Sequence, residues 1–266
     1  MILQNFLPLF LVGSLAGFLA GFFGVGGGVI LGPFLLFFFQ SRGIPVDIAT
    51  RLAFGTSHFC AVFNSIFGVR WHQRQGNVLW NVVLHIALSA MVGAYIGSYL
   101  ATIMPGEILK RILGFILIIL AVQIFVGFGE AKGGTLSLSW SKTIPIGFLA
   151  GFLAALGGIG GGVFFVPAMI LFLHVPVKKT AGTSSAIIIF TALSGSIGYL
   201  TNGSGVPGRP FGSIGYVDIL ATIPILTGSL IFSQLGGYLN SILPAKFLRP
   251  LFGLFLIAIF IKLIFF

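Results

Sequence analysis

Two glycine-rich segments could bind a solute through their backbones. Gly24-Val-Gly-Gly-Gly28 and Gly157-Gly-Ile-Gly-Gly-Gly162 each interrupt an apolar run. Because glycine in a helix interior is about 1 kcal/mol less favourable than alanine, each cluster predicts an unwound point or a very close backbone approach. A helix that begins after such a break offers unpaired N–H groups and a partial positive charge, which suits an anion. The glycines expected to contribute backbone to a substrate site are Gly26, Gly27, Gly28, Gly160, Gly161 and Gly162.

Hydroxyl and amide side chains follow the glycine clusters at matched positions. A Gly-Thr-Ser sequence occurs at 55–57 and again at 182–184, and seven residues beyond each serine stand Asn64 and Thr191, on the same helical face as that serine. Such groups can bind an anion without a buried full charge, and they can equally join helices by hydrogen bonds. The expected substrate-binding side chains are Thr56, Ser57, Asn64, Thr183, Ser184 and Thr191.

Few ionisable groups stand where they could act on a solute. Arg51 and Lys178 each lie four residues before the glycine of Gly-Thr-Ser, where a cation could give an anion access to the site or extend to lipid headgroups. His58 lies in an apolar segment and is either a structural residue or a group for specificity or proton transfer. Asp218 begins an apolar segment and is expected to cap a helix.

Residues for catalysis or metal binding are scarce. Cys60 is the only cysteine, and the four acids do not form a pair within an apolar segment. A dinucleotide loop is a poor fit, because neither glycine cluster completes the G-x-G-x-x-G pattern. The sequence therefore predicts no catalytic residue, no metal site, no cofactor and no enzymatic activity.

The elements that must position these residues are membrane helices. Hydrophobic residues make up 57% of the chain and charged residues 7%, against about 25% charged residues in an ordinary soluble domain. A water-soluble fold is excluded. Because about 20 apolar residues cross a bilayer, 266 residues predict an all-α polytopic protein of the cell (inner) membrane with about 8–10 transmembrane segments.

The net charge of +10 indicates which partners to expect. Basic residues next to membrane segments attract anionic lipid headgroups. A small anionic substrate would also favour an excess of basic over acidic residues. The bases are dispersed over many loops instead of forming a patch, so nucleic acid is not an expected partner. The sequence leaves open whether the chain forms a homo-oligomer.

The chain contains an internal duplication. Residues 17–33 read GFLAGFFGVGGGVILGP and residues 151–167 read GFLAALGGIGGGVFFVP. The matched order of later motifs predicts a first transmembrane repeat at 1–128, a linker at 129–142 and a second repeat at 143–266. Each repeat has five apolar segments, and an odd number of crossings makes the repeats inverted, an architecture typical of secondary transporters. The second segment of each repeat is too short to cross the bilayer upright, so it is tilted, re-entrant or a half-helix.

The ordered set of motifs resembles the sulfite exporter TauE/SafE family over nearly the whole chain. The motifs are the glycine-rich break after Gly-Phe-Leu-Ala-Gly, its second copy, the two Gly-Thr-Ser sequences and the stretch from Leu109 to Gly114. The resemblance implies a carrier of sulfite, sulfoacetate or another sulfur-containing or organic anion. The chain departs from the family pattern at His58-Phe-Cys-Ala, where plain aliphatic residues are common.

These observations lead to one functional hypothesis with two alternatives. The expected function is a secondary transporter that moves a small anion, sulfite or an organosulfonate such as sulfoacetate, by alternating access. The alternatives are a passive anion channel, which would share the same residues, and a carrier of another small organic anion.

Overall fold

Nearly all of the chain that the structure describes is helical. The computed structural model describes residues 2–126, 136–242 and 248–265, so residues 129–135 of the predicted linker lie outside the described part. The described helices are α1 (Ile2–Phe23), α2 (Gly28–Gln40), α3 (Val46–Arg74), α4 (Trp80–Ile103), α5 (Gly106–Val126), α6 (Trp140–Leu156), α7 (Gly162–Leu173), α8 (Val177–Asn202), α9 (Ile219–Ile242) and α10 (Leu248–Phe265). A short antiparallel hairpin of β1 (Ser213–Ile214) and β2 (Val217–Asp218) precedes α9.

Six of the described helices are long and apolar enough to cross a membrane, namely α1, α3, α4, α5, α8 and α9. Three further apolar helices, α2, α6 and α7, are shorter. The long helices expose large apolar side chains, such as Leu88 on α4 and Phe115 on α5, as expected where the surrounding solvent is lipid. The prediction of an all-α, multi-pass membrane protein is confirmed.

Small residues bring α1 and α9 into backbone contact. Gly13 lies against the backbone of Ile225, and two turns later Gly21 lies against the backbone of Ser233, so the helices run parallel. A Cβ atom at either glycine would overlap the neighbouring main chain. The spacing of Gly13, Gly17 and Gly21 therefore serves close helix packing, as it does in many membrane helices.

The pair formed by α4 and α6 repeats this arrangement. Gly93 lies against the backbone of Phe148, and Gly97 lies against the backbone of Phe152, so these helices also run parallel. In both pairs a helix from the first half of the chain packs against one from the second half. The halves are thus interlocked instead of standing side by side.

The two longest central helices, α3 and α8, run antiparallel. Gly55 near the start of α3 lies beside Tyr199 near the end of α8, whereas Gly68 further along α3 lies beside Ser185 near the start of α8. These opposite directions are what inverted repeats require. The repeat boundaries at 1–128 and 143–266 stay a prediction, which the matched contacts of α1, α4, α6 and α9 support.

The ends of the helices define two faces of the molecule. At one face Asp47 accepts a hydrogen bond from the Gly106 backbone N–H, so α3 and α5 begin next to each other. The β hairpin lies at the same end, and we call this the hairpin face. At the opposite face, called the linker face, α3 ends, α8 begins and Ser137 donates to the Leu173 carbonyl. On the hairpin face Asp218 Oδ1 accepts the Ala221 N–H at 3.0 Å, which confirms the predicted helix cap.

Candidate functional site

Each glycine cluster separates two helices. Helix α1 ends at Phe23 and α2 begins at Gly28, while α6 ends at Leu156 and α7 begins at Gly162. Helices α2 and α7 contain 13 and 12 residues, which at about 1.5 Å per residue gives less than 20 Å and falls short of a bilayer core of about 30 Å. The predicted glycine breaks and short second segments are confirmed in both copies.

The backbone at the breaks requires glycine. Gly27 precedes α2 with a φ of 76°, and Gly161 precedes α7 with a φ of 99°. Residues with a Cβ rarely adopt this left-handed conformation. Within the described chain, no hydrogen-bond acceptor faces the backbone N–H of Gly28 or of Gly162, the first residue of each short helix. These N–H groups are therefore open to a ligand.

The two breaks pack directly against each other. A Cβ placed on Gly28 would lie 2.6 Å from the carbonyl carbon of Ile159, and a Cβ placed on Gly162 would lie 2.6 Å from the Gly24 oxygen. Only glycine allows the main chains to approach so closely. The break of one half therefore forms one wall of the break of the other half.

Asn64 projects into this junction from α3. Its side chain is fully buried, and neither Nδ2 nor Oδ1 has a hydrogen-bond partner. A Cβ placed on Gly27 would lie 2.9 Å from Nδ2, so the amide faces the first break directly. A buried polar group without a partner costs about 1–3 kcal/mol, so Asn64 is a candidate for binding a ligand.

Ser65 adds a second unpartnered polar group, which the sequence analysis missed. Its hydroxyl is buried without a hydrogen bond and lies 3.6 Å from a Cβ placed on Gly26. Across the junction, a Cβ placed on Gly160 would lie 3.2 Å from the methyl group of Ala61. Ser65 follows Ala61 by one helical turn, and that spacing could have found it. We refer to Asn64, Ser65 and the glycines 26, 27 and 160 as the central cluster.

The serines of the two Gly-Thr-Ser sequences hold the breaks in place. Ser57 donates to the Gly28 carbonyl at 3.4 Å, and Ser184 donates to the Gly24 carbonyl at 2.9 Å. Ser184 thus reaches from the second half of the chain to the break of the first. Both serines contact the glycine breaks, but through bonds within the protein, and their binding of a substrate stays a prediction.

The predicted threonines have partners of their own. Thr56 accepts from the Asp218 backbone N–H at 2.9 Å, and Thr183 accepts from the Leu79 N–H at 3.0 Å. Each threonine therefore fixes the residue before a long helix, α9 or α4. Thr191 donates to the carbonyl one turn earlier in α8 at 3.1 Å. These three hydroxyls connect helices or close a turn within the protein.

Arg51 and Lys178 lie at opposite faces of the molecule. Arg51 is half-buried at the hairpin face, where it donates to the Met104 carbonyl at 3.0 Å and to the Tyr216 hydroxyl at 3.4 Å. Lys178 is exposed at the start of α8, on the linker face. One positive charge therefore stands near each face, as their sequence positions predict.

His58 lies between the central cluster and the hairpin face. Its Nδ1 is 3.1 Å from the Phe54 carbonyl; since a carbonyl only accepts, Nδ1 carries the proton. Its Nε2 is buried without a partner, and its ring lies 5.8 Å from that of Tyr199. Two helical turns, about 10 Å, separate His58 from Ser65.

Matched hydrogen bonds hold the ends of the two helices that precede the breaks. His72 Nε2 lies 3.2 Å from the Gly21 carbonyl near the end of α1, and the Tyr199 hydroxyl donates to the Ala155 carbonyl near the end of α6 at 2.8 Å. Carbonyls in the last turn of a helix have no partner within it. The two side chains therefore stabilise equivalent helix ends.

The chemistry of the described site is that of neutral donors. Among the described residues there is no group of three or more His, Cys, Asp or Glu that could hold a metal ion. Asp47 and Asp218 lie at the hairpin face, away from the central cluster. The polar groups that meet at the breaks are amide, hydroxyl and backbone N–H groups, which suit a solute with oxygen atoms.

Membrane-crossing helices of both halves, interlocked around two broken helices and a buried polar cluster, define a membrane transporter. The sulfite exporter TauE/SafE family model matches residues 9–263. The chain belongs to this family, as its sequence motifs predicted.

Curated relatives from distant organisms support the same class. The chain is 31% identical over 253 residues to a probable membrane transporter protein of Haemophilus influenzae, covering 95% of this chain and 96% of the relative. A probable membrane transporter protein of Methanocaldococcus jannaschii is 31% identical, with 91% and 88% covered. The probable membrane transporter protein YdhB of Bacillus subtilis is 28% identical, with 91% and 93% covered. No solved structure matches the chain.

Proposed function

We propose that the chain is a secondary transporter that carries a small anion, with sulfite or an organosulfonate such as sulfoacetate as the expected substrate. One observation carries the proposal: Asn64 and Ser65 present buried, unpartnered polar atoms to the glycine breaks. Membership of the sulfite exporter TauE/SafE family and the net charge of +10 support an anionic solute.

The central cluster offers donors that fit an oxyanion. The Asn64 amide has two N–H bonds and Ser65 has one O–H bond. The backbone N–H groups of Gly28 and Gly162 add the positive ends of two helix dipoles. A hydrogen bond to a charged group contributes about 1.5–3 kcal/mol, so a few such bonds can replace part of the hydration of an anion.

The Asn64 oxygen adds a constraint on the substrate. Oδ1 is an acceptor, and it is buried without a donor. An oxyanion that keeps one O–H group would satisfy this atom together with Nδ2. Singly protonated sulfite has such a group, whereas fully ionised sulfate does not. The amide would then favour singly protonated sulfite over a fully ionised oxyanion such as sulfate or sulfoacetate.

The expected mechanism is alternating access, because the central cluster is closed in this conformation. The breaks touch backbone to backbone at Gly28 and Gly162, so a solute cannot pass until the packing at the breaks changes. The pairs α1 with α9 and α4 with α6 are locked by glycine contacts and would move as rigid units. Arg51 would attract the anion at the hairpin face and Lys178 at the linker face.

His58 is proposed as a group for specificity or proton coupling. With the proton on Nδ1, neutral His58 presents a lone pair at Nε2, which repels an anion. Protonation would convert Nε2 into a donor that attracts one. An anion that crosses between the central cluster and the hairpin face would then be helped by a proton that moves with it.

Flux measurements on the purified protein in liposomes test the substrate and the mechanism. We expect saturable uptake of labelled sulfite or sulfoacetate, and faster uptake when the same anion is inside to be exchanged. Exchange of a different organic anion, without exchange of sulfite or sulfoacetate, would favour a carrier of another small organic anion. Large currents without saturation would favour a channel, and no flux of sulfite, sulfoacetate or thiosulfate under any ion gradient would refute the substrate assignment.

A further inference from the structure

A basic pocket lies at the linker face, outside the central cluster. The last turns of α3 and the second half of α9 form an open pocket with two guanidinium groups. The residues that line it are Phe67, Arg70, Trp71, Arg74 and Gln234. We propose that this pocket binds the phosphate headgroup of an anionic phospholipid.

Among the residues that the structure describes, the charges of the pocket have no counter-ion. Arg70 and Arg74 are exposed and one turn apart, so they project from the same face of α3. Neither forms a hydrogen bond or ion pair with any other residue in the described ranges. Asp47 and Asp218 lie at the opposite face. Two adjacent guanidinium groups with free donors match the oxygens of one phosphate group.

Aromatic side chains place the pocket at the level of lipid headgroups. Trp71 packs edge to face against Tyr238 of α9 with 5.9 Å between ring centroids. Close by in sequence, the exposed Trp80 donates from Nε1 to Gln73 Oε1 at 2.7 Å. Tryptophan and tyrosine concentrate where the hydrocarbon core meets the headgroups.

The surface just below the pocket is apolar and exposed. Ile66, one turn before Arg70, is 37% exposed, and Ile231, one turn before Gln234, is 59% exposed. Both lie on the membrane side of the basic groups, because α3 and α9 each end at the linker face. A ligand with a phosphate and two acyl chains would use the guanidinium groups and these isoleucines together, whereas free phosphate would use only the former.

Lipid titration of the full-length protein tests this site. In detergent followed by native mass spectrometry, we expect phosphatidylglycerol to bind at least tenfold more tightly than phosphatidylcholine with the same chains. Inorganic phosphate and sulfite at millimolar concentration should leave the bound lipid unchanged. The double variant Arg70→Gln/Arg74→Gln, which keeps long polar side chains on the surface, should lose the tenfold preference.

A matched variant controls for the loss of two charges. Lys110→Gln/Arg111→Gln removes two positive charges at the hairpin face and should keep the preference. Equal binding of the two lipids by the unmodified protein would overturn the proposal, as would an unchanged preference in the Arg70 and Arg74 variant. Displacement of the lipid by phosphate or sulfite would instead make the pocket a docking point for a free anion, which also overturns it.

Discussion

Replacing Asn64 by leucine should preserve or raise stability and strongly reduce transport. Leucine keeps the branched outline of asparagine but has no polar atoms. Since both amide atoms are buried without partners, removing them relieves a cost of about 1–3 kcal/mol in the empty protein. The melting temperature of the purified variant should therefore be equal to or higher than that of the parent protein.

The same replacement removes one or two hydrogen bonds to a bound anion. At about 1.5–3 kcal/mol each for a charged acceptor, and with 1.4 kcal/mol per factor of ten in affinity, losing even one should weaken binding about tenfold to a hundredfold. Liposome uptake at a substrate concentration near the KM of the parent protein should then fall by a similar factor. Asn64→Ala serves as a second variant in case leucine overfills the site.

The equivalent position in the second half provides the control. Thr191 already donates to a carbonyl of its own helix, so Thr191→Val should change affinity far less than Asn64→Leu. Parent-like affinity and rate in Asn64→Leu would refute the reasoning. So would a strong loss of stability in both Asn64 variants, because the amide would then be hydrogen-bonded within the protein and serve its structure.

Two further pairs of variants separate local strain from function. Gly27 and Gly43 have nearly the same φ, 76° and 75°, so alanine at either position should cost about 1–2 kcal/mol of stability through backbone strain, measured by thermal unfolding. Gly27→Ala should lose more, because its Cβ would lie 2.8 Å from the Ala16 carbonyl oxygen and 2.9 Å from Asn64 Nδ2, whereas nothing lies within 4 Å of a Cβ on Gly43. Only Gly27→Ala should also lose transport, and equal transport in the two would contradict the site. Tyr199→Phe removes the hydrogen bond to the carbonyl of Ala155 near the end of α6. The loss of about 1 kcal/mol in the free energy of unfolding should lower the melting temperature by about 2–4 °C. Tyr95→Phe, at an exposed tyrosine, should leave the melting temperature unchanged.

Much of the fold could be predicted because its signals are local. Apolar runs identify membrane helices from composition alone, and glycine clusters identify helix breaks from the intrinsic cost of glycine in a helix. The duplication was visible because the two copies of the break retain nearly the same letters. Ser65 was missed because the stripe of polar residues was followed from Ser57 in steps of three and four, which leads to Asn64 and passes over its neighbour.

The roles of individual hydroxyls could not be predicted, because their partners are remote in sequence. Thr56 bonds to Asp218, and Ser184 bonds to Gly24, each across more than half of the chain. A threonine in a helix has the same letter whether it faces a ligand, a neighbouring loop or its own preceding turn. Only the packing of α3 against the start of α9, and of α8 against the first glycine break, assigns these partners.

The sequence by itself determined that this is a multi-pass membrane protein with two glycine-broken helices. Hydropathy and the cost of glycine in a helix depend only on residues that are close in sequence. Tertiary structure alone decided which polar groups remain without partners at the centre. The breaks of the two halves meet only after the halves interlock, and this contact leaves Asn64 and Ser65 unsatisfied while it satisfies the serines and threonines nearby. We propose that these two unpaired side chains bind the solute.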